Sequence, residues 1–156
     1  MIASAAVWLL QNFLQVLAMG FMLVPEIFLL VVSYEIVSGP LRAERVSMWL
    51  WFAFAGGILW DLRWATSPGM SGLINVGVVM AIYLIWKRTP IAGRSVFLFA
   101  VLAGVAHFLS GIAHYLAWAT PSHIAVRMFL IQQLLSVPVL ALLCMVYAFR
   151  RTDISV

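Results

Sequence analysis

Charged residues are scarce in this chain: five acidic and nine basic side chains among 156, or 9%, against roughly 25% in an ordinary soluble domain. Hydrophobic residues make up 65%, where about 45–50% is usual. A globule of this length cannot hide so much apolar surface, so lipid is the expected solvent. Cysteine is almost missing. Cys144 stands alone in an apolar run, which excludes an intrachain disulfide and leaves it as a small core residue. No Gly-x-Ser-x-Gly elbow, His-Glu-x-x-His helix or Walker loop occurs, so no hydrolase signature is present and no enzyme is expected. There is no low-complexity tract, short-period repeat or soluble domain. No Lys or Arg precedes the first apolar run and no small-residue cleavage site closes it, so a cleaved signal peptide is not expected.

What is present is a series of apolar runs punctuated by proline. Pro25, Pro40, Pro68, Pro90 and Pro121 fall between runs, where a helix must stop or start, and Pro138 inside a run predicts a kink. The resulting segments are about 5–23, 25–38, 46–61, 72–86, 95–118 and 124–149. They predict an all-α, six-helix transmembrane bundle in one integral membrane domain. A straight span needs roughly 20 residues, so the second segment either crosses with its neighbours' help or re-enters.

The net charge of +4 points to orientation rather than to nucleic acid, because basic residues flanking spans face the cytoplasm. Arg42, Arg45, Lys87, Arg88, Arg94, Arg150 and Arg151 share one side in this arrangement, with Arg63 and Arg127 on the other. The Pro40 and Pro90 loops and the C-terminal tail are therefore cytoplasmic, and six crossings bring the N-terminus to the same side. Gly56 to Gly72 then reads as two spans joined by a short outward hairpin. Trp8, Trp49, Trp51, Trp60, Trp64, Trp86 and Trp118 lie near segment ends, as an aromatic belt requires. Small residues recur four apart at Ala53 and Gly57, Gly77 and Ala81, Ala100 and Gly104, and Ala113 and Ala117, a spacing that lets helices approach closely.

Polar groups inside such helices are costly, and each needs a reason. Gln11 and Gln15 share one face of the first helix beside Asn12, and interhelical hydrogen bonding is their expected role, with a ligand site as the alternative. Glu35, near the cytoplasmic end of the second segment, is expected to pair with Arg42 or Arg45, ahead of an ion-coupling role. Glu26 follows Pro25 in a first turn, where a carboxylate meets the positive helix end. Asp61 ends the third segment, where a carboxylate is unfavourable. Arg63 or amides of the following turn must compensate, or a partner must meet it. His107 and His114, seven apart, fall on one helical face with Ser110 and Gly111. Two turns separate them by about 10 Å, too far to share one metal without ligands from elsewhere. No metal or cofactor is expected, and hydrogen bonding or a partner- or ligand-facing role is. Gln132, Gln133 and Ser136 are placed to satisfy carbonyls freed at Pro138.

Pro25-Glu26, a short basic loop, Gly56-Gly57-Ile58-Leu59-Trp60-Asp61-Leu62, Ser67-Pro68-Gly69 and Gly72-Leu73 follow at spacings that resemble the rod shape-determining MreD family of bacteria. The likeness runs over nearly the whole chain, with Pro25, Asp61, Pro68 and Gly72 as motif positions. It implies a non-enzymatic inner-membrane part of the cell-elongation machinery and the six-helix fold of energy-coupling-factor vitamin transporters' substrate-binding subunits. Its implied partners are an MreC-like scaffold, an MreB-like filament, and a glycan polymerase with its transpeptidase. His107 and His114 are not expected from that family. Two rivals remain: a vitamin-binding transporter subunit, whose Ala-x-x-x-Ala docking motif the first helix lacks, and a haem- or quinone-linked subunit using His107 and His114.

Overall fold

In this computed structural model the described residues, 2–18, 23–64, 67–118 and 123–153, form six helices. These are α1 (Ile2–Leu17), α2 (Ile27–Ser38), α3 (Ala43–Trp64), α4 (Met70–Arg88), α5 (Val96–Trp118) and α6 (His123–Asp153). A single 3₁₀ turn covers Ile91–Gly93, and no strand occurs among the described residues. The all-α expectation holds. Three stretches, Met70–Arg88, Val96–Leu116 and His123–Arg150, are long and apolar enough to cross a membrane. Helix α1 is apolar but has 16 residues. Helix α3 has 22 residues, but Glu44 and Arg45 at one end, Asp61 and Arg63 at the other and its tryptophans dilute its apolar character.

Several helices run past the apolar segments that announced them. Ala43, Glu44 and Arg45 extend α3, Lys87 and Arg88 extend α4, and α6 continues through Arg150, because good helix formers carry the backbone ladder beyond the apolar core. At the other extreme α2 starts at Ile27, with Pro25 outside it. Residues 19–22 and Pro121 lie outside the described residues. Helix α6 is continuous through Pro138. The side chains expected to serve that proline do otherwise. Ser136 Oγ donates to Gln133 O at 2.7 Å, one residue before the Leu134 carbonyl that Pro138 leaves unpaired, while Gln132 reaches Val24 ahead of α2 and Gln133 reaches His107 of α5.

The short second helix is the hub. Its 12 residues reach about 18 Å, well below the ~30 Å of a hydrocarbon core. Apart from Glu35 at its far end it shows no polar face, the pattern of a helix buried on every side, and it packs against each of the other five. One face meets Val46, Trp49 and Ala53 of α3 and Val79 of α4. Another meets Ile82, Trp86, Phe99, Ala103 and Tyr147. Trp49 and Trp86, 3% and 1% exposed, are therefore core residues and not part of an aromatic belt. Trp8 likewise turns inward and donates to Gly56 O at 3.1 Å. Trp51, 68% exposed, does sit on the outside.

Helices α3 and α4 make the closest pair. A Cβ on Gly57 would fall on the backbone of Ser71 and Gly72, so this crossing exists because position 57 has no side chain. Between the helices Gly69 takes φ +93° at the start of α4, a left-handed conformation that glycine adopts without steric cost. Gly77, by contrast, faces open space and is no packing position. Basic side chains gather at one end of the bundle. Arg45 bonds Glu35, Arg150 lies over Tyr34, and Arg94 lies over Trp86. The rings are joined to one another through Phe99 and Tyr147. Outward faces carry exposed apolar residues such as Leu9, Phe13, Leu116 and Leu134, as a surface bathed in hydrocarbon requires.

Candidate functional site

Because α2 begins inside the bundle, its first N–H groups need partners from elsewhere. Glu26, at the N-cap, makes no side-chain cap bond of its own. Gln11 Oε1 accepts from Phe28 N at 2.7 Å and Gln15 Oε1 from Val24 N at 2.9 Å. His107 Nε2 accepts from Glu26 N at 3.2 Å, and Gln132 Nε2 donates to Val24 O at 3.2 Å. Left unpaired in an apolar interior, each such group would cost on the order of 1–3 kcal/mol. Side chains of α1, α5 and α6 thus hold one short stretch, Val24 to Phe28. The tautomer of His107 follows: Nε2 accepts, so Nδ1 carries the proton and donates to Gln133 Oε1 at 3.0 Å.

The Glu26 carboxylate centres a second set of contacts. Ser110 Oγ donates to Oε2 at 2.6 Å, and His114 Nδ1 stands 3.0 Å from Oε1 and 2.9 Å from the Ser110 carbonyl. Both neighbours accept, so this nitrogen bears a proton. His114 Nε2 faces Ser71 Oγ at 3.1 Å, and Ser71 N donates to Asp61 Oδ2 at 2.9 Å. One polar chain therefore runs from α3 through α4 and α5 to the start of α2. Asp61 and Ser110 are fully buried in it, and Ser71 nearly so. Asp61 does not end α3, which continues to Trp64. Its carboxylate instead caps the N-terminus of α4, where negative charge is favourable.

Beside this network lies a cavity of about 320 Å³, at the small end of the ~300–1,000 Å³ typical of small-molecule sites. Trp8, Phe28, Trp60, Tyr115 and Phe129 supply aromatic wall, and Glu26, Ser71 and His114 line one side. Four more lining residues are amides: Gln11, Gln15, Asn75 and Gln132, between 6% and 8% exposed. Gln11 commits its oxygen to Phe28 of α2, and Gln15 its oxygen and Gln132 its nitrogen to Val24 just ahead of that helix. Among the described residues the opposite ends of these three, and both ends of Asn75, make no hydrogen bond.

The candidate residues thus divide between two places. Gln11, Gln15, Asp61, His107 and His114 converge with Pro25 and Gly72 around the start of α2. Glu35 stands at the far end of that helix, where Arg45 Nη2 bonds its carbonyl at 2.6 Å and its carboxylate at 3.3 Å, the ion pair expected. Pro68 is exposed in the turn before α4. Neither imidazole offers a free ring nitrogen to an iron or other metal, since both nitrogens of each are engaged. No group of three His, Cys, Asp or Glu side chains that could hold a metal ion occurs among the described residues. Glu26, Ser71 and Asn75 join the site without being among the candidates that the sequence offers. Glu26 had a signal: no Lys or Arg lies within fifteen positions of it, so a carboxylate in that apolar setting had to find its partner from another helix. No protein-family model, curated protein or solved structure matches the chain.

Proposed function

We propose that this chain is a non-enzymatic, multi-pass subunit of the bacterial inner membrane, of the MreD kind, that holds the cell-elongation machinery together. In this reading the helices cross as three hairpins, both termini lie in the cytoplasm, and the turn between α3 and α4 points outward. An MreC-like scaffold lays its single span against the apolar outer surface of the bundle. An MreB-like filament lies beneath the membrane, and the glycan polymerase and transpeptidase are reached through the scaffold. The supporting observation is the joint where α2 begins, α3 ends and α4 begins. Of the motif positions, Asp61 and Gly72 meet there beside Gly57, Pro25 stands buried just ahead of α2 and Pro68 lies exposed in the turn, and the Asp61 and Gly72 contacts are those of capping and packing. A joint of this kind makes a stiff platform, and stiffness is what docking of a partner helix needs. The test is an affinity pull-down in mild detergent with identification of the bound proteins. An MreC-like scaffold is the expected companion. Recovery of an energy-coupling transporter subunit in its place overturns the proposal.

A further inference from the structure

We infer that the cavity between α1, α4, α5 and α6 binds a small, neutral, heteroaromatic molecule, gripped along its edge by the amides of Asn75, Gln132, Gln11 and Gln15. Charge comes first in the argument. The one carboxylate on the wall, Glu26, is already matched by Ser110 and His114, so a charged guest would find no unpaired counter-charge. Hydrogen bonding comes next. Among the described residues, the unused groups of the four amides are the NH₂ ends of Gln11 and Gln15, the oxygen of Gln132 and both ends of Asn75. The wall therefore presents donors and acceptors together.

A buried amide without a partner is destabilising, and an apolar occupant such as an acyl chain would leave all four that way. A planar heterocycle satisfies them, because ring nitrogens, carbonyls and amino groups alternate along its rim. Its faces match the rest of the wall, where Trp8, Phe28, Trp60, Tyr115 and Phe129 offer rings to stack on. The guest would also touch Gln11, which holds the first turn of α2, and Gln15, which holds Val24 just ahead of it, so occupancy is felt at the hub of the bundle. This site is additional to the scaffold role and does not depend on it.

The experiment uses the full chain purified in detergent from the cells that express it. Its organic extract is analysed by mass spectrometry, and its thermal unfolding is followed with adenine, nicotinamide and lumichrome as added probes. The expected result is a heteroaromatic compound close to equimolar with protein, or a saturable rise in Tm with one of the three probes. Either signal should fall at least tenfold in Asn75→Leu. That variant should fold, because Asn75 holds nothing else in place. Met128→Trp, which fills the space from α6, should lower the same signal independently. Extracts holding phospholipid alone, or no bound organic molecule, together with no response to any probe, overturn the inference. So does undiminished binding in both variants.

Discussion

Replacing Gly57 by alanine tests the α3–α4 joint most directly. The added methyl would meet the Gly72 backbone and lie 2.6 Å from the carbonyl carbon of Ser71, whereas carbon contacts are comfortable from about 3.5 Å. The helices must part by roughly 1 Å, and no flexible side chain stands in between to yield. Overpacking of this sort costs ~1–3 kcal/mol, and more where backbone has to move. Alanine's better helix propensity returns about 1 kcal/mol. The net loss is therefore about 2 kcal/mol, equivalent to a fall in Tm of roughly 4–8 °C for a chain of this size.

Two sister variants calibrate the result. Gly72→Ala meets a Phe54 ring carbon at 2.9 Å and the Phe54 carbonyl at 3.0 Å; the ring can turn, so the loss should be smaller. Gly77→Ala meets nothing within 4 Å and should gain up to about 1 kcal/mol from propensity alone. Thermal unfolding in one detergent should therefore rank Gly77→Ala above the parent, then Gly72→Ala, then Gly57→Ala. If Gly57→Ala melts together with Gly77→Ala, the two helices do not touch at this point and the reasoning fails.

The same joint and its surroundings give further expectations. Asp61→Ala removes the acceptor for Ser71 N and should destabilise by ~1–2 kcal/mol, while Asp61→Asn keeps an oxygen there and should lose less than half as much in the same melts. Gln11→Leu orphans the Phe28 amide at a cost on the order of 1–3 kcal/mol; hydrogen exchange at Phe28 should quicken while that of Val79 in α4 stays slow. Ser71, His114 and Glu26 stand in the order of nucleophile, base and orienting acid, yet Ser71 is 1% exposed and its own N–H is committed to Asp61. A fluorophosphonate probe should leave Ser71 unlabelled, and labelling that His114→Phe abolishes would make the chain a hydrolase. In a Cys144→Ala background, Pro68→Cys should react with an impermeant maleimide added outside the cell. Pro90→Cys should react only after permeabilisation, and the reverse pattern would invert the proposed topology.

Composition and proline spacing carry the helical class and the segment order, because a chain this apolar has few other ways to satisfy its backbone. They carry less about which helix lies at the centre. The second segment looked like a deficient span, since length is measured against a bilayer, and its even distribution of apolar residues is what marks it as the core. Tryptophan misled for a related reason. Trp49 and Trp86 lie near segment ends in sequence, but those ends tuck against α2 and Tyr147, and position along a helix does not say which face is turned inward. Asp61, His107 and His114 were legible as costly groups needing partners. For Asp61 the partner was among those expected, a backbone amide beyond the following turn, Ser71 N; for the histidines it was not, because Ser71 and Glu26 are brought to them by the packing of other helices and not by any local pattern.

The length of α2 and the polar residues of its neighbours are one feature seen twice. A helix long enough to reach the membrane surface gives its first N–H groups to water. A helix of 12 residues at the centre of a bundle leaves them among apolar side chains, where each must be met by protein. Gln11 and His107 meet two of them, at Phe28 and Glu26, and Gln15 meets the Val24 N–H just ahead of the helix. Amides are well suited to this, because they accept without bringing charge, but every amide that accepts through its oxygen also carries an NH₂ that must point somewhere. Here those ends border a cavity beside Asn75, so capping the central helix and furnishing the wall of a pocket are accomplished by the same side chains. Substituting Gln11 or Gln15 should therefore loosen α2 and weaken occupancy of the pocket together, whereas Asn75→Leu should affect the pocket alone. A separation of that kind, read by amide exchange on one side and by bound compound on the other, is what distinguishes a site from a packing defect.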